Sequence, residues 1–282
     1  MRIFTTSSMK STPENNFFSN QPFLNVKGKL LDLSQPRVMG ILNVTPDSFF
    51  DGGQYLSTDA VLVQVERMLQ AGATCIDVGG YSTRPGAEVV TPEEEKKRVL
   101  PAIRRIMKAF PDAVLSIDTF RSEVARAAVA EGACIINDVT GGEGDPQMFA
   151  TAGVLKVPYI LMHMRGTPQT MNQQTDYEDL VKEIALYFQQ RILALRHHGV
   201  KDIILDPGIG FAKTVAQNFQ LLNQFDHFKI FSQPKLIGVS RKSLIWRTLH
   251  VTPEEALNGT SVLNTVALLK GASILRVHDV KQ

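Results

Sequence analysis

Ala71-Gly72-Ala73-Thr74-Cys75-Ile76-Asp77-Val78-Gly79-Gly80 decides the fold of this chain. A helical pattern ends at a glycine, a small or turn residue follows, an apolar run comes next, and polar or glycine residues close the unit. The same grammar returns at 131–142 (EGACIINDVTGG), 198–210 (HGVKDIILDPGIG) and 270–280 (KGASILRVHDV). Gly72, Gly132, Gly199 and Gly271 suit the left-handed position just past a helix C-terminus. The apolar runs after them lack polar alternation, as expected of parallel strands buried on both faces.

Four further runs, 37–44, 114–118, 159–164 and 235–239, bring the number of expected strands to eight, with helical patterns between them. Thr91-Pro92-Glu93-Glu94 and Thr252-Pro253-Glu254-Glu255 both offer a capping Thr, a Pro in the first turn and an acidic residue placed for a capping box. Eight strands in regular βα alternation predict an α/β fold, the (β/α)8 TIM barrel, over a doubly wound sheet. No Gly-x-Gly-x-x-Gly follows the first strand, and no Gly-x-x-x-x-Gly-Lys-Ser/Thr occurs anywhere.

The chain has 282 residues, 44% apolar and 21% charged, with a net charge of +2. That length accommodates one barrel. Residues 1–22 read as a flexible N-terminal extension and 23–282 as a single barrel domain. Interspersed charge gives no electrostatic case for a nucleic-acid partner, and no apolar run has the length of a membrane span. Cys75 and Cys134 lie in apolar runs, which predicts buried thiols and a cytoplasmic setting.

The strand ends carry polar side chains: Asn43, Asp77, Asp118, Asn137, His163, Asp206, Ser240 and Arg276. In a barrel these ends converge on one face. Taken singly, each is as well explained as a polar residue at a wet rim. Two carboxylates, an amide and an ammonium together (Asp118, Asn137, Asp206, Lys242) are costly to desolvate without a ligand. Their pattern matches a flat heterocycle with a guanidine-like edge. Gly238-Val239-Ser240-Arg241-Lys242-Ser243 leaves a strand and opens a helix, which suits an anion. Arg84, Arg276 and His278 add donors. Asn43-Val44-Thr45-Pro46-Asp47-Ser48-Phe49-Phe50-Asp51-Gly52-Gly53 has more polar and aromatic content than a turn requires, as expected of a working loop.

These stretches, with Tyr81-Ser82-Thr83-Arg84-Pro85-Gly86, Ser116-Ile117-Asp118-Thr119, Leu161-Met162-His163-Met164-Arg165-Gly166 and Asp206-Pro207-Gly208-Ile209-Gly210-Phe211, resemble dihydropteroate synthase in order from about Val26 to Val280. The resemblance implies a transferase of folate biosynthesis on a single barrel. It joins 6-hydroxymethyl-7,8-dihydropterin diphosphate to p-aminobenzoate, releases diphosphate and uses Mg²⁺; sulfonamides compete with p-aminobenzoate. It implies that Asp118, Asn137, Asp206 and Lys242 contact the pterin, with Met162 against the ring and Arg276 along it. Asn43 and His278 hold the diphosphate, Asn43 also serving Mg²⁺. Thr83, Arg84 and Pro85 form a second loop, and Phe49, Pro85, Lys242 and Ser243 shape the p-aminobenzoate pocket. Asp51 pairs with Arg84, and the two loops close over the substrates while diphosphate leaves ahead of nitrogen attack. No covalent nucleophile is required.

Three positions depart from the family pattern. Phe50 replaces a small or polar residue, and Tyr81 replaces an acidic one. The chain also stops at Gln282, just after the eighth strand, where the family adds a final helix. The expectation is either a truncated chain or a barrel lacking that helix, with apolar surface bared where the family's homodimer is affected. Two other readings share the pterin site: a folate-binding methyltransferase domain, which has no use for Ser-Arg-Lys-Ser, and a non-catalytic pterin-binding paralogue, which would have lost Asn43, Asp51, Arg84, Lys242 or His278.

Overall fold

The computed structural model describes residues 23–44, 58–81 and 90–282. An antiparallel hairpin, β1 (Phe23–Val26) and β2 (Lys29–Asp32), comes first. Eight parallel strands follow: β3 (Arg37–Asn43), β4 (Cys75–Gly79), β5 (Leu115–Asp118), β6 (Ile135–Asp138), β7 (Tyr159–Met162), β8 (Ile203–Asp206), β9 (Leu236–Ile237) and β10 (Ile274–Val277). They pair in the order β8-β7-β6-β5-β4-β3-β10-β9. A parallel bridge from Leu205 to Lys235 closes the ring. This is the (β/α)8 TIM barrel.

The helices are α1 (Thr58–Gln70), α2 (Pro92–Ala109), α3 (Ser122–Ala130), α4 (Met148–Leu155), α5 (Leu180–His197), α6 (Val215–Asn223), α7 (Ser243–Leu249) and α8 (Leu257–Leu269), the last two sharing one connection. None is long and apolar enough to cross a membrane among the described residues. The glycine stops work as expected. Gly72 N–H donates to the Leu69 carbonyl and Ala73 N–H to Met68, and the same two bonds recur at Gly132, Gly199 and Gly271. All four glycines have φ between +85° and +113°, so each helix turns into its strand through the same left-handed residue.

Thr91 caps α2, its hydroxyl accepting from Glu94 N–H at 3.2 Å. Thr252 does not start a helix. Its N–H donates to Glu255 Oε2 at 2.9 Å, which closes a single turn. The fully buried Ala256 then carries the chain inward before α8 begins at Leu257.

Strand alternation divides the core in two. Ile76, Val78, Leu115, Ile117, Ile136, Leu161, Leu205 and Ile237 face the helices. Met39, Cys75, Cys134, Ile135, Ile160, Ile204, Leu236 and Ile274 fill the lower barrel, and the hairpin plugs that end with Leu24 and Val26. The sequence reading had no hairpin there. Cys75 and Cys134 are free, buried thiols in this layer, and burial pushes both up. After β10, residues 278–282 form no helix. Val262 and Leu269 on α8 and Val63 on α1 are exposed.

Candidate active site

On four strands the side chain that points into the barrel above the apolar layer is polar or charged. On β4, Asp77 lies two residues beyond Cys75; on β6, Asn137 lies two beyond Ile135; on β8, Asp206 lies two beyond Ile204; on β10, Arg276 lies two beyond Ile274. Period two therefore carries each strand from the apolar plug to the polar mouth on one face. Register sets Asn43, Gly79, Asp118 and Asn137 side by side across β3 to β6, and sets Met162 beside Asp206. Asp138, one residue out of phase, points outward, and Tyr159 donates its hydroxyl proton to it at 2.6 Å.

Arg276 crosses the mouth. Its Nε donates to Asp77 Oδ2 at 2.6 Å and its Nη2 to Asp118 Oδ2 at 2.7 Å. Asn137 Nδ2 donates to the same Asp77 oxygen at 2.9 Å. Burial pushes the Asp118 carboxyl up to about 7, with Arg276 pulling it down and Asp77 adding to the rise. Burial also raises Asp206, against the pull of Lys242 and of the Gly208 N–H, which donates to Asp206 Oδ1 at 2.8 Å. Lys242 is drawn down to about 8 by burial, opposed by Asp206. Burial works against Arg276, but Asp77 and Asp118 outweigh it and hold the guanidinium above its ordinary value. The mouth thus concentrates carboxylates and cations that partly desolvate one another.

The β8–α6 loop places Lys242. Its ammonium donates to the Ile209 carbonyl and lies 4.8 Å from the Phe211 ring centroid. Gly210, at φ +81°, leaves room for it: a Cβ there would stand 3.1 Å from Lys242 Cδ. Lys213, buried beneath this loop, donates to the Gly208 and Phe211 carbonyls at 3.1 and 2.9 Å. Beside Asp206, the neighbour of Met162 in register, the residues Met162, Met164, Met171, Val139 and Ala212 make an apolar cluster, with Phe211 packed on it.

The Ser-Arg-Lys-Ser segment is tied to the end of β10. Arg241 grips Asp279 with Nε–Oδ2 at 2.8 Å and Nη2–Oδ1 at 2.6 Å. Ser240 Oγ accepts from His278 N–H at 3.1 Å and lies 3.0 Å from His278 Nδ1. Ser243 is the first residue of α7. Asn43 is half-buried at the end of β3.

Of the strand-end residues, Asp118, Asn137, Asp206 and Arg276 are brought together with Lys242, and Met162, which the resemblance put against the ring, stands beside Asp206. His163 does not join them. It is one residue out of phase with Met162 and lies 3.1 Å from Lys213 Nζ, against the Tyr187 ring. Phe49, Asp51, Thr83, Arg84 and Pro85 lie outside the described residues, as do Phe50 and residues 1–22. Tyr81 packs edge-on against Phe120 with centroids 5.5 Å apart. Two residues at the mouth had no role in the sequence reading. Asp77 was visible only as another polar strand residue, and Phe211 sat inside a quoted motif beside a glycine that signals close approach.

Residues 39–278 match the family model described as pterin binding enzyme, which is the class this barrel and its mouth define. Dihydropteroate synthase of Synechocystis sp. is 48% identical over 247 residues, covering 86% of this chain and 85% of that protein. The solved structure of Yersinia pestis dihydropteroate synthase in a sulfonamide drug complex superposes with a TM-score of 0.86 at 42% identity, covering 92% of this chain and 94% of that one. Xanthomonas albilineans dihydropteroate synthase with 4-aminobenzoic acid gives a TM-score of 0.85 at 41% identity, covering 92% and 93%. The chain belongs to the dihydropteroate synthase family.

Proposed function

We infer that this chain condenses 6-hydroxymethyl-7,8-dihydropterin diphosphate with p-aminobenzoate, giving 7,8-dihydropteroate and diphosphate. The observation that carries the reading is the mouth itself: Asp118, Asn137, Asp206, Lys242 and Arg276 are gathered at one barrel end in a chain 48% identical to a dihydropteroate synthase. The methyltransferase reading gives no use to Lys242 and Ser243 at the start of α7, and a non-catalytic paralogue gives no reason to keep Asn43, Lys242 and His278.

The pterin ring lies against the Met162 and Phe211 cluster and meets the polar side chains of the mouth. Asp118 and Asp206 accept its N–H groups, and Lys242 donates to its ring acceptors. Arg276 and His278 face the diphosphate, and the developing charge on that group is what they stabilise. The C–O bond from the pterin methylene to diphosphate breaks, and the amine nitrogen of p-aminobenzoate then bonds to that carbon and loses a proton. Carboxylates around the ring stabilise the cation between those two events. Thr83, Phe49 and Pro85 are assigned to the substrate walls, with Ser243 and the start of α7 receiving the carboxylate. Asp51 and Arg84 are assigned to loop closure.

Among the described residues no group of three His, Cys, Asp or Glu is placed to hold a metal. Mg²⁺ bound with a phosphate substrate needs only one or two protein oxygens, and the Asn43 amide at the mouth fits that requirement. When bound, Mg²⁺ neutralises charge on the departing diphosphate. A homodimer and a cytoplasmic setting belong to the same reading. Sedimentation velocity tests the dimer. The deciding experiment for the activity is a coupled diphosphate-release assay. Release that depends on p-aminobenzoate supports the reading; binding of the pterin diphosphate without release favours the paralogue.

A further inference from the structure

An asparagine amide has two chemically different ends, and which end of Asn137 meets a ligand is decided by Asp77. Asp77 is fully buried on β4. A carboxylate can only accept, so Asn137 must turn its Nδ2 toward it, as the 2.9 Å contact shows. The opposite rotamer would set two oxygens against each other in a buried site, with neither able to donate. The Asn137 oxygen is therefore left for the mouth. The same Asp77 oxygen fixes Arg276 through Nε at 2.6 Å, leaving Nη2 for Asp118.

The cost of this arrangement is visible. Asp77 Oδ1 is buried and has no hydrogen-bond partner among the described residues. A carboxylate held with half its acceptor capacity unfilled destabilises a fold. The barrel layer just below is built from apolar side chains that pack without such a cost. A retained buried carboxylate of this kind points to a role outside packing.

We propose that Asp77 is a positioning residue that sets the hydrogen-bonding polarity of the pterin site, locking Asn137 with its oxygen toward the ligand and aligning Arg276 beside Asp118. The mouth then offers acceptors at Asp118, Asn137 and Asp206 in one array, and donation is confined to Lys242 and Arg276. Such an array selects a ring edge rich in N–H donors and rejects a ring with acceptors at those places, because like groups would face one another unpaired. The inference rests on the reading of this mouth as the pterin site.

The test removes the acceptor. In Asp77→Asn the amide oxygen can stand where Asp77 Oδ2 stands and accept from both Asn137 and Arg276, so its affinity for the pterin diphosphate is expected to stay close to that of the unsubstituted protein. Asp77→Leu has no acceptor and leaves Asn137 free to turn its NH₂ to the ligand. Calorimetry with the pterin diphosphate is expected to show binding weaker by about ten- to a hundredfold in Asp77→Leu, the loss of a buried hydrogen bond. The double variant Asp77→Leu/Asn137→Asp presents an oxygen at the mouth without needing Asp77, and is expected to bind more tightly than Asp77→Leu alone. A general loss of folded protein would lower the number of binding sites and leave the dissociation constant alone. If Asp77→Leu does not fold, Asp77→Ala is measured in its place with the same expected loss. Unchanged affinity in Asp77→Leu, a loss as large in Asp77→Asn, or a double variant no better than Asp77→Leu overturns the proposal. Failure of the unsubstituted protein to bind the pterin diphosphate would instead remove the functional reading beneath it.

Discussion

Asp118→Asn should make the protein more stable and less active, and the gain in stability should depend on pH. Burial raises the Asp118 carboxyl from 3.8 to about 7. Between those values the folded state holds a proton that the unfolded state has released. Wild-type stability from this group is therefore full below about pH 4 and is lost as pH rises toward 7. A shift of about three units corresponds to a ceiling of about 4 kcal/mol. The side chain keeps 15% exposure at an open mouth, so roughly half of that, about 2 kcal/mol, is the expected size. An asparagine resembles the protonated carboxyl and can still accept from Arg276, while Asp77 keeps the guanidinium paired. Urea unfolding of both proteins from about pH 4 to pH 8 gives the difference directly. The variant should match the wild type at the acid end and exceed it by about 2 kcal/mol at the alkaline end, while its affinity for the pterin diphosphate falls. A difference that is flat with pH, or a variant that loses ground as pH rises, would refute the argument that ionised Asp118 is held against its own desolvation.

Asp206→Ala should cost roughly 2–4 kcal/mol of pterin diphosphate affinity by leaving ligand donors unpaired; unchanged calorimetric affinity would remove Asp206 from the site. A sulfonamide should bind more tightly when a pterin and diphosphate are present, because loop residues complete its pocket; equal affinity in the free protein would mean a preformed pocket. Asp51→Ala should lower kcat while leaving pterin diphosphate affinity nearly intact, and adding Arg84→Ala should cost clearly less than the sum of the single effects. Additive losses in that cycle would show that the two residues act independently.

The glycine stops and buried runs were legible because their causes are local. A left-handed φ at Gly72 or Gly271 follows from the absence of a Cβ, and a strand buried on both faces has no polar alternation to show. The helix expected at Thr252 failed for the converse reason. Its capping chemistry is satisfied by a single turn, and the burial of Ala256 against the rest of the molecule sets where α8 begins. His163 looked equivalent to Asp206 because both follow apolar runs. One residue of phase sends His163 to Lys213 and leaves Met162 at the mouth.

What the sequence determined by itself is the alternation of eight buried strands with helices and, on most strands, the polar residue at the upper end, since propensity, turn chemistry and period two act over a few residues. What the tertiary structure decided is who meets whom. Arg276 is 199 positions from Asp77 and 158 from Asp118, and it reaches them only because the last strands close beside the first. Ring closure and strand register set those distances. They depend on all eight strands packing together, so no local stretch of the sequence contains them.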